Sequence, residues 1–146
     1  NANCNGMELQ QKEAQSRKVK EYTTKIQACG RKMDWRQAAS LLKVMRSESV
    51  EPNVISFTAA ISACEKAREW EEALSLLEEM RLMSLTANVI SFNSAISACE
   101  KCAQWEQALL LLPRMRLLGI TPDVISFSAA ISACEKGGQW QRAHTL

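Results

Sequence analysis

One short stretch returns along this chain at a fixed step of 35 residues. It covers Val54–Lys66, Val89–Lys101 and Val124–Lys136, and each copy begins Val-Ile-Ser-Phe and ends Ala-Cys-Glu-Lys. A weaker copy covers Val19–Arg31, one step earlier. A fixed period of this length indicates an array of stacked repeats, in which each unit buries its apolar face against its neighbours. The tryptophans keep the same step, at Trp35, Trp70, Trp105 and Trp140.

Each repeat is predicted to form two helices, which we name helix A and helix B. In the second repeat, Phe57, Ile61 and Cys64 recur at i, i+4 and i+7, the spacing of one helical face. This spacing predicts helix A at about Ser56–Lys66, and a similar pattern that starts at the tryptophan predicts helix B at about Glu69–Leu82. The sequence therefore predicts an all-α fold, an α-solenoid of helix-turn-helix repeats.

The repeats divide the chain into a leader and an array. Residues 1–18 are polar and form a leader or linker, for which helix propensity allows a helix from about Met7 to Lys18. The array covers residues 19–146, with units at 19–53, 54–88 and 89–123 and a truncated unit at 124–146.

The tryptophans and Pro113 allow the predicted B helices to be checked against a structure. The tryptophans open each helix B on its apolar face, so we expect them to turn inward and anchor helix B on helix A. Pro113 falls in the middle of the third helix B. Because an interior proline removes a hydrogen-bond donor and clashes with the preceding turn, we expect a kink or an early break there.

The cysteines fit a packing role better than a chemical one. Of the six, Cys29, Cys64, Cys99 and Cys134 hold one slot in successive repeats. Stacked helices lie about 9–10 Å apart, too far for disulfides, so we expect small buried apolar side chains. Cys99 and Cys102 form an isolated C-x-x-C in a chain with one histidine, so the sequence predicts no metal site and no cofactor.

The overall charge does not identify a partner. The 18 Lys and Arg against 16 Asp and Glu give a net charge of +2, well short of a strongly basic nucleic-acid-binding domain. No run approaches the roughly 18 apolar residues of a membrane span, so membrane insertion is not expected. Any nucleic-acid function must depend on where the charges lie.

A polar stripe runs along the other side of each helix A. In the second repeat it consists of Thr58, Ser62 and Lys66 at i, i+4 and i+8. Side by side, such helices would form one row of hydroxyls and amides and one row of cations. These rows suit base edges and a phosphate backbone. The alternative is a solvated helix face with ordinary capping residues.

Several motifs together resemble one repeat family. The 35-residue period, the Val-Ile-Ser-Phe-Thr/Asn/Ser opening, the Trp-Glu-x-Ala-Leu pattern of helix B and the Gly-Ile-Thr-Pro-Asp-Val ending are similar to the plain class of pentatricopeptide repeats. The tetratricopeptide repeat has 34 residues and a Trp-x-x-Leu-Gly opening that these copies lack. The resemblance implies a right-handed superhelix whose groove is lined by the A helices.

The resemblance also implies roles for individual residues, since such repeats read one RNA base each with two or three side chains. In the family, the fifth and last residues of a repeat select the base, and the pairs found here imply 5′-A-A-U-purine. These pairs are Thr23 with Asn53, Thr58 with Asn88, and Asn93 with Asp123, and Ser128 stands alone in the last repeat.

Two further slots complete the implied RNA site. The second residue of each repeat would clamp bases from either side, a role that Ile55, Ile90 and Ile125 fit and Lys20 does not. The thirteenth residue would meet a phosphate, and the glutamates before three of these cations would dilute the charge. The four cations are Arg31, Lys66, Lys101 and Lys136.

Two functions follow from the resemblance. The first is a sequence-selective module for single-stranded RNA in organellar RNA metabolism, in the chloroplast or the mitochondrion. The alternative is a helical scaffold that binds protein in an organellar complex. An enzyme is not expected, because the chain has one histidine, His144, and no glycine-rich phosphate loop after a strand.

Overall fold

The computed structural model describes residues 2–146, with side chains from Asn5 onward, and Asn1 of the predicted leader lies outside the described residues. Within this range the chain forms α-helices and no strand. The predicted all-α solenoid of helical hairpins is confirmed. The helices are α1 (Ala2–Arg31), α2 (Trp35–Ser47), α3 (Val54–Lys66), α4 (Trp70–Leu82), α5 (Val89–Lys101), α6 (Trp105–Leu117), α7 (Val124–Lys136) and α8 (Trp140–Ala143).

The first helices of successive repeats lie side by side. Helices α1, α3, α5 and α7 each contact the next in that order. Each second helix packs against the first helix of its own repeat, and α2, α4 and α6 also contact the first helix that follows. The first helices therefore form one continuous layer of the array.

The hydrophobic core is a continuous strip in which equivalent residues of successive repeats lie side by side. Phe57 and Phe92 are 0% and 1% exposed, and both lie between the two helix layers. Equivalent isoleucines and methionines continue the strip. These are Ile26, Ile61 and Ile96 on first helices, and Met45, Met80 and Met115 on second helices.

The four cysteines of the shared slot are buried and free, as predicted. Burial raises the pKa of the Cys64 and Cys99 thiols to about 12. A thiol that does not ionise near neutral pH is a poor nucleophile and a poor metal ligand. Cys29, Cys64, Cys99 and Cys134 are therefore small apolar core residues.

Every first helix after α1 begins with the same capping box. Asn53, Asn88 and Asp123 each accept a hydrogen bond from the backbone N–H three residues on, and that residue's hydroxyl accepts from the capping residue's own N–H. This exchange satisfies two donors that a helix start leaves unpaired. It also fixes the orientation of the last side chain of each repeat.

The helix ends also repeat. The second residue after each of the helices α1 to α7 has a positive φ, which glycine adopts without strain at Gly119 and Gly138. Elsewhere the slot holds a residue with a side chain, as at Ala103 with φ of 55°. The connections inside and between hairpins are thus built alike, which keeps the repeats in register.

The predicted break at Pro113 is wrong. Helix α6 runs through this residue and ends at Leu117, the slot where α4 ends at Leu82. Pro113 is exposed, so water can reach the carbonyl of Leu109 that its missing N–H would have bonded. Buried residues on both sides of the proline hold α6 against the core. They are Leu111, Leu112 and Met115.

The leader and the first helix A form one continuous helix. Helix α1 is 30 residues long and passes through the boundary placed between residues 18 and 19. The residue directly before Val19 is Lys18 rather than a capping asparagine or aspartate, and no proline precedes it. Pro52 and Pro122, by contrast, precede later first helices. Early in α1, Met7 and Leu9 are exposed, and Gln15 Nε2 donates to the carbonyl of Ser49 at 3.2 Å.

Three of the four tryptophans pack as expected, half-buried against the core. Trp105 also contacts the next repeat at Gly137. The indole lies so close to this glycine that an added Cβ would be only 2.3 Å from the Cδ1 atom of Trp105. The expectation is wrong for Trp140, which is 60% exposed and, among the described helices, has none after α8 packed over it. Among the described helices, none has both the length and the apolar composition to cross a membrane.

Candidate nucleic-acid interface

Each predicted base-selecting pair meets where one repeat joins the next. The fifth residue lies on a first helix, in the first turns of α3 and α5 but well inside the long α1 for Thr23, and the last residue caps the start of the next first helix. We call each such junction a seam. Because first helices lie side by side, the seams fall on one surface of the array.

A buried serine lies at the centre of every seam. In the second seam, Ser91 Oγ lies 3.0 Å from Thr58 Oγ1 and 2.7 Å from Asn88 Oδ1. In the first seam, Ser56 Oγ lies 3.0 Å from Thr23 Oγ1 and 2.9 Å from Asn53 Oδ1. Both serines are fully buried. The serine therefore links the two members of each pair.

The third seam has an amide in place of the threonine. Ser126 Oγ donates to Asn93 Oδ1 at 2.5 Å, and Asn93 Nδ2 donates to Asp123 Oδ1 at 3.0 Å. The Ser126 backbone N–H donates to the same Asp123 oxygen at 3.0 Å. Here the pair is bonded directly as well as through the serine.

Sequence reasoning missed these serines, because they belong to the repeated Val-Ile-Ser-Phe opening and looked like ordinary helix starts. A signal was present. Asn53 and Ser56 stand three residues apart, a capping-box spacing that recurs in the next two repeats. It does not reveal the bond across to the fifth residue of the previous repeat, which depends on how the first helices stack.

The two members of a pair differ in exposure. Thr23 and Asn93 are 8% and 9% exposed, Thr58 is half-buried, and only Ser128 of the fifth residues is exposed. Asn53 and Asn88 are half-buried, and Asp123 is exposed. The last residue is therefore the more accessible member of the first and third pairs, and in the second pair both members are half-buried.

Each last residue leaves one defined polar group outward. The Oδ1 atoms of Asn53 and Asn88 accept from the helix, and no protein partner within the described range bonds their Nδ2 atoms. Asp123 likewise uses Oδ1 and leaves Oδ2 without a described partner. The Ser126 backbone N–H, followed by the Asn93 amide, holds the pKa of Asp123 below its ordinary value. The seams thus present a donor, a donor and an acceptor in order.

Exposed isoleucines stand beside these groups. Ile55, Ile90 and Ile125, each about 60% exposed, are the second residues of α3, α5 and α7. In the first repeat this slot holds Lys20, which is exposed on α1. At the first seam, Lys20, Thr23, Asn53 and Ile55 line part of a cleft of about 520 Å³.

The four cations of the predicted phosphate row are not equivalent. Lys101 Nζ lies 2.6 Å from Glu65 Oε1, and Lys136 bonds Glu100 in the same way. Ser97 and Ser132 donate to the same two carboxylates, at 3.1 and 2.9 Å. Two cations are therefore engaged with a glutamate of the preceding repeat.

Arg31 and Lys66 make no ion pair in the part of the chain that the structure describes. For Lys66 the reason is Gly30, which holds the slot where later repeats carry Glu65 and Glu100. At Glu100, burial raises the pKa, but bonds from Lys136 and Ser132 and the nearby charges outweigh it and lower the pKa. The carboxylate stays ionised at neutral pH.

Two family models match the sequence of this chain. Residues 52–101 and 87–136 match the PPR repeat family, and residues 8–67 match the pentatricopeptide repeat domain. No curated protein sequence matches the chain closely enough to compare.

Two solved structures have a similar fold. The PPR domain of Arabidopsis thaliana protein-only RNase P 1, solved with tRNA, has a TM-score of 0.75 at 17% identity, over 87% of this chain and 67% of that one. The pentatricopeptide repeat protein PPR10 from maize has a TM-score of 0.70 at 22% identity over 77% of this chain. The matched part is 16% of the length of the maize protein.

Proposed function

Because the chain belongs to the pentatricopeptide repeat family, we propose that it binds single-stranded RNA along the seams and selects about one base per repeat. One observation carries this proposal. Asn53, Asn88 and Asp123 stand in a row on one surface, and each turns a single polar group outward. Such a row can meet successive bases of an extended strand.

The chemistry of the outward groups supports a choice of bases. The amide Nδ2 of Asn53 and Asn88 donates, so it suits the ring-nitrogen acceptor of adenine or cytosine. The carboxylate Oδ2 of Asp123 accepts, so it suits the imino N–H of uracil or guanine. Reading the Watson–Crick edge of unstacked bases is the usual way proteins recognise single-stranded RNA.

The fifth residues supply the second part of the choice. Thr23 and Thr58 are smaller than Asn93 and leave more room above the seam, which favours a purine. The larger Asn93 favours a pyrimidine. With the donors and the acceptor in order, the proposed sequence is 5′-A-A-U, and Ser128 adds a purine by the family's pattern.

The remaining parts of the site hold the strand. Ile55, Ile90 and Ile125 offer apolar side chains for the faces of the bases. Arg31 and Lys66, which make no ion pair with any described residue, suit phosphates. We place this activity in RNA metabolism of the chloroplast or the mitochondrion, as is usual for the family. The role is binding rather than catalysis.

Binding to short labelled RNAs tests the proposal. The chain should bind an RNA that contains A-A-U-G at least about tenfold more tightly than its complement, because each wrong base costs about 1–3 kcal/mol. Affinity should also fall as salt is raised. Equal affinity for the two RNAs in a titration monitored by anisotropy would contradict the base assignment.

Removing a competing carboxylate should strengthen RNA binding. Glu100→Gln frees Lys136 to meet a phosphate, so we expect affinity to rise about threefold to tenfold and the salt slope to steepen by about one unit. Glu135→Gln is the matched control. Glu135 holds the same slot, is exposed and makes no ion pair in the described range. Equal gains from both variants would show that only net charge matters.

A second function is favoured by the outer surface. Leu82, Leu110 and Leu117 on the second helices are 70%, 62% and 87% exposed. Exposed apolar side chains of this kind are common where proteins meet. A protein partner bound there in an organellar complex should stay bound as salt is raised, whereas RNA bound through lysine and arginine should dissociate.

A further inference from the structure

We propose that the buried serines of the seams, Ser56, Ser91 and Ser126, are positioning residues that determine which base each seam accepts. They touch no RNA themselves. They fix the atom that the last residue of the repeat turns outward, and they make that choice depend on the fifth residue. This inference rests on the proposed function.

Ser91 Oγ lies 2.7 Å from Asn88 Oδ1 and 3.0 Å from Thr58 Oγ1. We assign its proton to Asn88 Oδ1, because this contact is the shorter one and an amide oxygen can only accept, whereas the Thr58 hydroxyl can also donate. The Thr58 hydroxyl then donates either to the carbonyl of Val54, at 2.7 Å, or to Ser91 Oγ, at 3.0 Å. In both arrangements Asn88 Oδ1 receives two donors, the hydroxyl and the backbone N–H of Ser91, at 2.7 and 2.9 Å.

Two donors on one oxygen hold the amide against rotation. If the side chain of Asn88 turned over, Nδ2 would face the Ser91 N–H and the bond to the helix start would be lost. The outward group is therefore a donor. The first seam repeats this arrangement, with Ser56 O–H and N–H both directed at Asn53 Oδ1 at 2.9 Å.

In the third seam the serine proton points the other way. Ser126 Oγ lies 2.5 Å from Asn93 Oδ1 and 2.9 Å from Asp123 Oδ1. Because Asn93 Nδ2 already donates to Asp123 Oδ1, we assign the serine proton to Asn93 Oδ1, which would otherwise have no donor. Asp123 Oδ1 thus still receives two donors, one from Asn93 and one from the Ser126 N–H, and Oδ2 stays outward. One serine serves both kinds of pair because a hydroxyl can donate in either direction.

The buried polar atoms of the seams all have hydrogen-bond partners within the protein. Within the described residues, no buried side-chain nitrogen or oxygen lacks a hydrogen-bond partner. In the first two seams, loss of the serine hydroxyl would release one of the two bonds that hold the last residue, and the threonine would keep only its bond to a carbonyl of its own helix. In the third seam, Asn93 Oδ1 would lose its donor. The base should then be read by a mixture of side-chain orientations.

Ser91→Ala tests this role at one base. The preference for adenine over guanine at the second base should fall about fivefold, the equivalent of one ordinary hydrogen bond, while the preferences at the first and third bases remain. Ser91→Thr keeps the hydroxyl and should restore the preference. Ser94→Ala is the matched control on α5, since Ser94 makes no side-chain hydrogen bond with described residues.

The outcomes separate this inference from the proposed function. A wild-type chain that binds no RNA overturns both. A selective wild type with an unchanged preference in folded Ser91→Ala overturns the positioning role alone. An equal loss of affinity for all RNAs would also overturn it, since that result marks a structural role. Thermal unfolding shows whether each variant is folded, and Ser56→Ala repeats the test at the first base.

Discussion

Asn93→Thr is expected to change the preferred third base from uracil to guanine. Asp123 keeps its outward Oδ2, which still requires a base with an imino N–H. The smaller threonine leaves room for a purine, and guanine is the purine that carries this group. A change of about 1–3 kcal/mol in discrimination corresponds to a roughly 5- to 150-fold change in the guanine-to-uracil affinity ratio.

The variant should fold, because its seam already exists elsewhere in the chain. Thr58 and Ser91 have their oxygens 3.0 Å apart, and a threonine at residue 93 would face Ser126 in the same way. The double variant Asn93→Thr with Asp123→Asn copies the second seam and should prefer adenine. A titration in which a folded Asn93→Thr variant still prefers uracil would show that the fifth residue does not select the size of the base.

Phe92→Ala is expected to have the largest effect on stability. This ring lies in the centre of the array and is 1% exposed, so its removal leaves a cavity that α5 and its neighbours cannot fill. Loss of a buried phenylalanine costs about 3–5 kcal/mol. For a chain of this size we expect the melting temperature to fall by roughly 10 °C or more, as measured by circular dichroism.

Phe127 provides the comparison. It holds the same slot in α7, but it is only half-buried, since fewer helices cover the last repeat. Phe127→Ala should therefore cost clearly less than Phe92→Ala. Equal losses would show that the repeats do not share one continuous core. Ile90→Ala, which removes an exposed side chain, should leave the melting temperature nearly unchanged.

The regular part of the fold could be predicted from the sequence because the same pattern is repeated. Helix A of the second repeat was expected at about Ser56–Lys66 and runs Val54–Lys66, and helix B was expected at about Glu69–Leu82 and runs Trp70–Leu82. An apolar face at helical spacing defines a helix in any copy, and the 35-residue step places it in all of them.

Local rules are not enough where packing decides. The proline rule predicted a kink or an early break at Pro113, but α6 is not broken there, and buried leucines around the proline hold it against the core. The boundary at residue 18 was placed where the first repeat copy begins, and helix α1 runs across it. The seam serines and the bond of Lys136 to Glu100 join residues more than 30 positions apart, so they appear only once the helices are stacked.

The seams have a consequence for exchanging repeats between proteins. The proposed base-reading unit takes its fifth and last residues from one repeat and its serine from the next, as the bonds among Thr58, Asn88 and Ser91 show. A transplant cut at the conventional border, between Asn88 and Val89, would separate the serine from the pair that it serves. A graft that includes the first turn of the following helix, and therefore Ser91, would keep these three residues together.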